Sequence, residues 1–121
     1  MTTQQQELGA RGEQAAAEHL EAGGYRILDR NWRCRSGELD LVVRDPAGTL
    51  AAVEVKTRSS QGFGTAFDAV NPAKFARLHR LLIAWCKAHS AYCPQLRVDV
   101  VEVYPAPGGS LACRHLPDVR S

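Results

Sequence analysis

Two short stretches carry the residues best suited to chemistry. Glu38 and Asp40 lie two apart in Gly37-Glu38-Leu39-Asp40-Leu41-Val42-Val43, and Glu54 and Lys56 lie two apart in Val53-Glu54-Val55-Lys56. Between them stands Asp45-Pro46-Ala47-Gly48, a run of turn formers: a side-chain acceptor, a fixed φ and access to φ > 0. Residues 37–58 therefore read as a β-hairpin. If Asp45 faces Thr49, pairing outward sets Asp40 opposite Glu54 and Glu38 opposite Lys56. Alternation along a strand then puts Glu38, Asp40, Glu54 and Lys56 on one face and Leu39, Leu41, Val53 and Val55 on the other. Like charges directly opposite each other are destabilising, and a divalent cation between Asp40 and Glu54 would offset their repulsion. A hard cation such as Mg²⁺ takes oxygen ligands, often with only one or two protein carboxylates, and brings an acidified water and positive charge. The other reading is a solvated polar face with a Glu38–Lys56 ion pair.

The rest of the chain must position this hairpin. Residues 5–22 read as a helix rich in Ala and Glu, stopped by Gly23-Gly24. Its stripe is Leu8, Gly12, Ala15, Ala16, His19 and Leu20. Glu13 sits at the stripe's edge, either looking into a groove or paired with an arginine on the helix surface. Tyr25–Arg33 reads as a strand. Arg26, Arg30, Arg33 and Arg35 cluster around Trp32. Arginine forks bind phosphate and an aromatic can stack on a base, whereas charges also guard sheet edges. Thr57–Gly64 is polar and contains glycine, so it reads as a loop that could touch a substrate, and Ala66–Val70 as a short helical turn. Asn71-Pro72 opens a second helix running to about His89, with an apolar stripe of Phe75, Leu78, Leu82 and Trp85, Leu81 beside it. Lys74, Arg77, Arg80 and Lys87 form a basic arc, suited to phosphate or to water. Leu96–Tyr104 reads as a central strand, Leu111–Leu116 as an edge strand and residues 117–121 as a frayed tail. The order α-β-β-β-α-β-β fits an α/β sandwich with a mixed sheet covered by helices.

The chain has 121 residues, 45% hydrophobic and 23% charged, values of one ordinary domain spanning residues 1–121. A formal charge of +2 confines any nucleic-acid surface to a local patch. No apolar run approaches the roughly 18 residues needed to cross a bilayer, and the N-terminus has no basic-then-apolar signal pattern, so a cytoplasmic protein is expected. Cys34, Cys86, Cys93 and Cys113 lack CxxC spacing and are expected to be free thiols.

The motifs Gly9-x-x-Gly12-Glu13, Gly24-Tyr25-x-Ile27-Leu28-x-Arg30-Asn31, Gly37-Glu38-Leu39-Asp40-Leu41-Val42, Val53-Glu54-Val55-Lys56-x-Arg58, Phe63-Gly64-x-Ala66, Ala69-Val70, Lys74, Arg77 and Arg97-Val98-Asp99-Val100-Val101 resemble, in this order and over nearly the whole chain, the YraN-like family of small bacterial endonuclease-like proteins. The resemblance implies a restriction-endonuclease-like three-layer sandwich similar to Holliday-junction resolvases. It also implies a metal-dependent nuclease acting on phosphodiester bonds, in structured or branched DNA or in RNA. The alternative is a non-catalytic nucleic-acid-binding module on the same fold. Carried onto this chain, the nuclease motif implies Glu13, Asp40, Glu54 and Lys56 as catalytic residues. Asp40, Glu54 and the Val55 carbonyl would hold Mg²⁺ or Mn²⁺, and Lys56 would act on the attacking water or the developing charge. Arg58, the arginine cluster, Lys74 and Arg77 would hold the nucleic-acid backbone. The likeness to resolvases implies a homodimer.

Overall fold

The computed structural model describes residues 3–58 and 69–120. The hairpin forms around the expected turn. Asp45 N–H donates to the Thr49 carbonyl at 2.9 Å and Gly48 N–H to the Asp45 carbonyl at 2.9 Å. Asp45 Oδ1 accepts from Ala47 and Thr49 N–H, and Gly48, at φ 92°, takes the left-handed position that glycine enters without strain. These contacts lock the register of β2 (Gly37–Arg44) on β3 (Leu50–Thr57): Arg44 lies opposite Leu50 and Leu41 opposite Val53, as pairing from Asp45 and Thr49 requires.

β1 (Arg26–Cys34) pairs antiparallel with β2, with a bulge between Ile27 and Asp29. β4 (Leu96–Pro105) runs parallel to β3 and antiparallel to β5 (Leu111–Leu116), giving a mixed sheet in sequential order, β1-β2-β3-β4-β5. Parallel neighbours need a long crossover, and α2 (Pro72–Ala88) lies in it. α1 (Gln4–Ala22) starts at a Thr3–Gln6 capping box and α2 at an Asn71 cap with Pro72 behind it. Leu41, Val43, Ala51, Val53, Val101 and Val103 bury against Ala16, Ala17 and Leu20 of α1. Val42, Leu50, Ala52, Val98 and Val100 bury against Leu78, Leu81, Leu82 and Trp85 of α2. The molecule is thus helix–sheet–helix, the three-layer α/β sandwich of the restriction-endonuclease-like kind. Among the described residues no helix is long and apolar enough to cross a membrane.

Several local expectations fail for physical reasons. The hairpin has no single polar face, because alternation along β2 breaks just past the last β2–β3 pair: Leu41 buries on the α1 side while Leu39 buries on the α2 side. His19 is exposed, and Ala17 takes the buried place on α1. β4 is interior, as expected, paired on both sides, while β3 is the middle strand of the five. The tail is tied down: Val119 N–H donates to the Val98 carbonyl at 2.7 Å and its side chain is buried. The loop expected over Thr57–Gly64 and the turn over Ala66–Val70 fall largely outside the described residues, although Ala69 and Val70 pack into the α2-side core.

Candidate active site

β2 and β3 part company at one point. Their ladder runs from Arg44 and Leu50 to Leu41 and Val53. Beyond it β3 stays with β4 as far as Thr57 opposite Val103, and β2 stays with β1 as far as Gly37 opposite Cys34. The sheet therefore forks, and Asp40 is the first β2 residue past the last pair. A parted strand leaves backbone N–H groups that still need acceptors. Asp40 Oδ2 fills that need, accepting from Val55 N–H at 2.9 Å. A strand residue's N–H and C=O point to the same side, as paired residues that exchange both bonds show, so the Val55 carbonyl also points into the fork.

Glu54 is buried and lies on the α2 face, in step with Leu50 and Ala52. Asp40 is pushed up to about 8, first by burial, then by its hydrogen bond with Glu54 and by that residue's charge; the Val55 N–H pulls the other way, and Glu13 adds a smaller push. Lys74, in the first turn of α2, forms an ion pair with Glu54 Oε2. The ammonium is outside hydrogen-bonding geometry, so this buried oxygen has a neutralising charge but no hydrogen bond. Asp40, Glu54, Lys74 and Arg77 line one cavity of about 280 Å³ with Ser36, Gly37, Glu38 and Leu78.

These donors fit a hard divalent cation. They are oxygens, two carboxylates crowd together, and one buried oxygen lacks a directional partner. Among the described residues no three His, Cys, Asp or Glu side chains converge into a full shell. A cation here would keep several waters, as Mg²⁺ prefers.

The other expected residues divide. Glu13 follows Gly12, where α1 crosses β3 so closely that a Cβ on Gly12 would overlap the Thr57 hydroxyl; its carboxylate reaches the pair through its charge. Lys56 is exposed and, two residues past Glu54, on the same side of β3. Its neighbour across the sheet is Glu102 of β4 rather than Glu38. Glu38 instead pairs with Arg33 at 3.1 Å, in water.

Arg33 and Arg35 lie at the fork end of the sheet, where Cys34 pairs Gly37, whereas Arg26 lies at the far end opposite Arg44. Arg30 donates to Gln14 of α1 at 2.7 Å. Trp32 does not stand free among these arginines: it packs against the α2-side core, edge-on to His89. Arg58 donates through Nε and a terminal nitrogen to Glu102, which Arg114 also grips.

Sequence patterning missed two buried acids, Asp99 and Glu102. Their signal is an acid on each face of the apolar run Leu96–Tyr104 with arginines nearby. Asp99 accepts from Arg97, His115 and the Asp118 N–H. Burial alone would raise its pKa, but these bonds hold it below the usual carboxylate value. Patterning put Lys74 on a basic arc suited to phosphate or to water, whereas it turns inward to Glu54.

Comparison with known proteins agrees in extent with the described fold. A protein of Arthrobacter sp. (strain FB24) is 51% identical over 112 residues, 93% of this chain and 94% of its own. Relatives in Clavibacter michiganensis and Symbiobacterium thermophilum are 50% and 51% identical over 107 residues, each covering 88% of this chain and 90% of their own. All three bear the name UPF0102 protein. A family model spans residues 12–103, from the Gly12–Thr57 crossing to the end of the β3–β4 ladder, and the chain belongs to the uncharacterised protein family UPF0102.

Proposed function

We propose that this protein is a divalent-cation-dependent nuclease that hydrolyses phosphodiester bonds, with structured or branched DNA as its substrate class. The observation that carries the proposal is the fork itself: a half-buried Asp40 and a buried Glu54 brought together where β2 leaves β3, the latter with an oxygen lacking a hydrogen bond. Asp40, Glu54 and the Val55 carbonyl would hold Mg²⁺ or Mn²⁺. The bound ion would supply an acidified water and charge for the phosphoryl oxygens.

Lys56 would orient or deprotonate the attacking water, or neutralise charge that develops on the phosphoryl group. Its exposed side chain leaves it open to solvent and substrate. Glu13 would bear on the ion from outside, through charge or a bridging water. Arg33 and Arg35, at the fork end, would hold phosphates. Such contacts position a backbone without reading bases, which suits recognition of shape. Arg58 would support this surface from below through its pair with Glu102 and is not available to phosphate in that arrangement.

The test is a screen of purified protein with Mn²⁺ against duplex, single-stranded, flap and four-way-junction DNA, with Asp40→Asn as control for contaminating nuclease. Lys56→Met should fold and bind Mn²⁺ and DNA nearly as well as the parent, because a group acting mainly in the transition state adds little to ground-state binding. It should cleave at least roughly a hundredfold more slowly. Metal-dependent cleavage persisting in Lys56→Met would overturn the role given to Lys56. DNA binding without cleavage of any form by the parent would make the protein a binding module.

A further inference from the structure

Lys74 stands where helix physics disfavours it. A cation in the first turn of a helix meets the positive end of the macrodipole, and no acidic residue in that turn of α2 compensates it. Its partner is across the cavity instead: Glu54 Oε2. The contact is one of charge without hydrogen-bond geometry. Lys74 also keeps a route to water, its side chain being 35% exposed against 11% for Glu54. Arg77, one turn further along α2, is exposed and lines the same cavity, as residues three apart on a helix do.

We propose that Lys74 is the resident counter-cation of this site. Its ammonium neutralises Glu54 while no metal is bound, yields Glu54 to the incoming divalent cation, and then turns with Arg77 to the phosphate of the substrate. This rests on the metal-dependent function proposed above and adds to it a coupling: metal loading releases the very cation that receives the phosphodiester. A dication takes the place of one ammonium beside two carboxylates and balances both of them, and the released ammonium meets an anion that arrives with the nucleic acid.

The sign of one measurement separates this from a supporting role. Calorimetric titration with Mn²⁺ at fixed pH and salt should give at least about threefold tighter binding for Lys74→Met than for the parent, since the competitor is gone. Lys74→Gln, which is neutral yet can still donate to Glu54, should tighten binding in the same direction and covers the case in which the methionine variant fails to fold. With Ca²⁺ in place of Mn²⁺, so that binding is read without cleavage, either variant should bind a four-way DNA junction at least about threefold more weakly than the parent. In the metal-free state Lys74→Met should melt lower than the parent, and adding Asp40→Asn should shrink that deficit by removing the repulsion that Lys74 offsets. Manganese binding in the neutral variants that is equal to or weaker than in a parent that does bind at Asp40 overturns the exchange and leaves the nuclease proposal standing. A parent that binds no Mn²⁺, or an Asp40→Asn variant that binds it equally well, overturns both.

Discussion

Asp40→Asn should make the metal-free protein more stable, and the gain should grow with pH. The carboxyl has a folded pKa of about 8 against an ordinary 3.8, through burial first and Glu54 second. A raised acid pKa means that between those values the folded chain holds a proton the unfolded chain has released. Stability must then fall as pH rises from about 4 to about 8 and level off above. At about 1.4 kcal/mol per pH unit, the interval from pH 5 to pH 8 is worth at most about 4 kcal/mol. Asparagine keeps the acceptor for Val55 N–H and offers an amide donor to Glu54, so it removes the titration without opening the fork. For a domain of this size about 3–4 °C accompanies each kcal/mol. The melting temperature of Asp40→Asn minus that of the parent, measured in EDTA, should therefore rise by roughly 10 °C between pH 5 and pH 8. Other groups titrate in both proteins and cancel. Saturating Mn²⁺ at pH 8 should close most of that gap, because a ligand at a hundred times its Kd stabilises only the protein that binds it, by about 2.7 kcal/mol. A difference that stays flat across this pH range would refute the claim that Asp40 and Glu54 share a buried, mutually repelling site.

Three further outcomes are expected. Gly12→Ala should lower stability by roughly 1–3 kcal/mol, as overpacking does, because the new methyl meets Thr57; chemical denaturation reads this directly. Asp99→Ala should cost about 3 kcal/mol by taking the acceptor from His115, the Asp118 N–H and one side of Arg97, which keeps Asp45, and it should flatten the acid limb of the stability curve: the Asp99 pKa is depressed, so its contribution is complete above the ordinary carboxylate range and fades as pH falls below it. Arg33→Ala with Arg35→Ala should weaken binding to DNA of any sequence and reduce the slope of log affinity against log salt by about 2 if each arginine neutralises one phosphate; an unchanged slope would place the nucleic acid elsewhere.

The hairpin was legible because its information is local. Asp45, Pro46 and Gly48 set a turn, the turn set the register, and the register brought Asp40 and Glu54 together. The helix bounds were legible for the same reason, with Gly23-Gly24 stopping α1 and the Asn71 cap and Pro72 opening α2. What escaped depends on residues distant in the chain. Alternation at Leu39 and Leu41 fails because β2 breaks step between them, where it parts from β3, and that point is set by neighbouring strands. The pairing of Glu38 with Lys56 was extrapolated past the fork, whose position is fixed by β3 following β4 and β2 following β1. Trp32 looked like a stacking residue among arginines, yet its ring has more to gain beneath His89 and α2 than in water. Lys74 shares its helical spacing with solvent-facing lysines, and only the location of Glu54 turns it inward.

The sheet's other acids are treated differently, in a way that bears on function. At the turn, Asp45 accepts two backbone N–H groups and an arginine, and in the body of β4 Asp99 accepts from Arg97, His115 and Asp118. Both stay ionised against the cost of burial because donors surround them. At the fork end, three local rules are broken within one cavity: a ladder stops short, two carboxylates meet, and a helix opens with a lysine. Ordinary folding pressure would relieve each by a single change, such as an amide at position 40. Concentrated violation of local preference is the mark of a site whose residues serve something other than stability. The same sheet supplies donors to Asp99 and, beside Lys56, to Glu102, so the shortfall at Asp40 and Glu54 does not reflect a fold unable to supply donors. It is specific to the place where a cation would complete the structure.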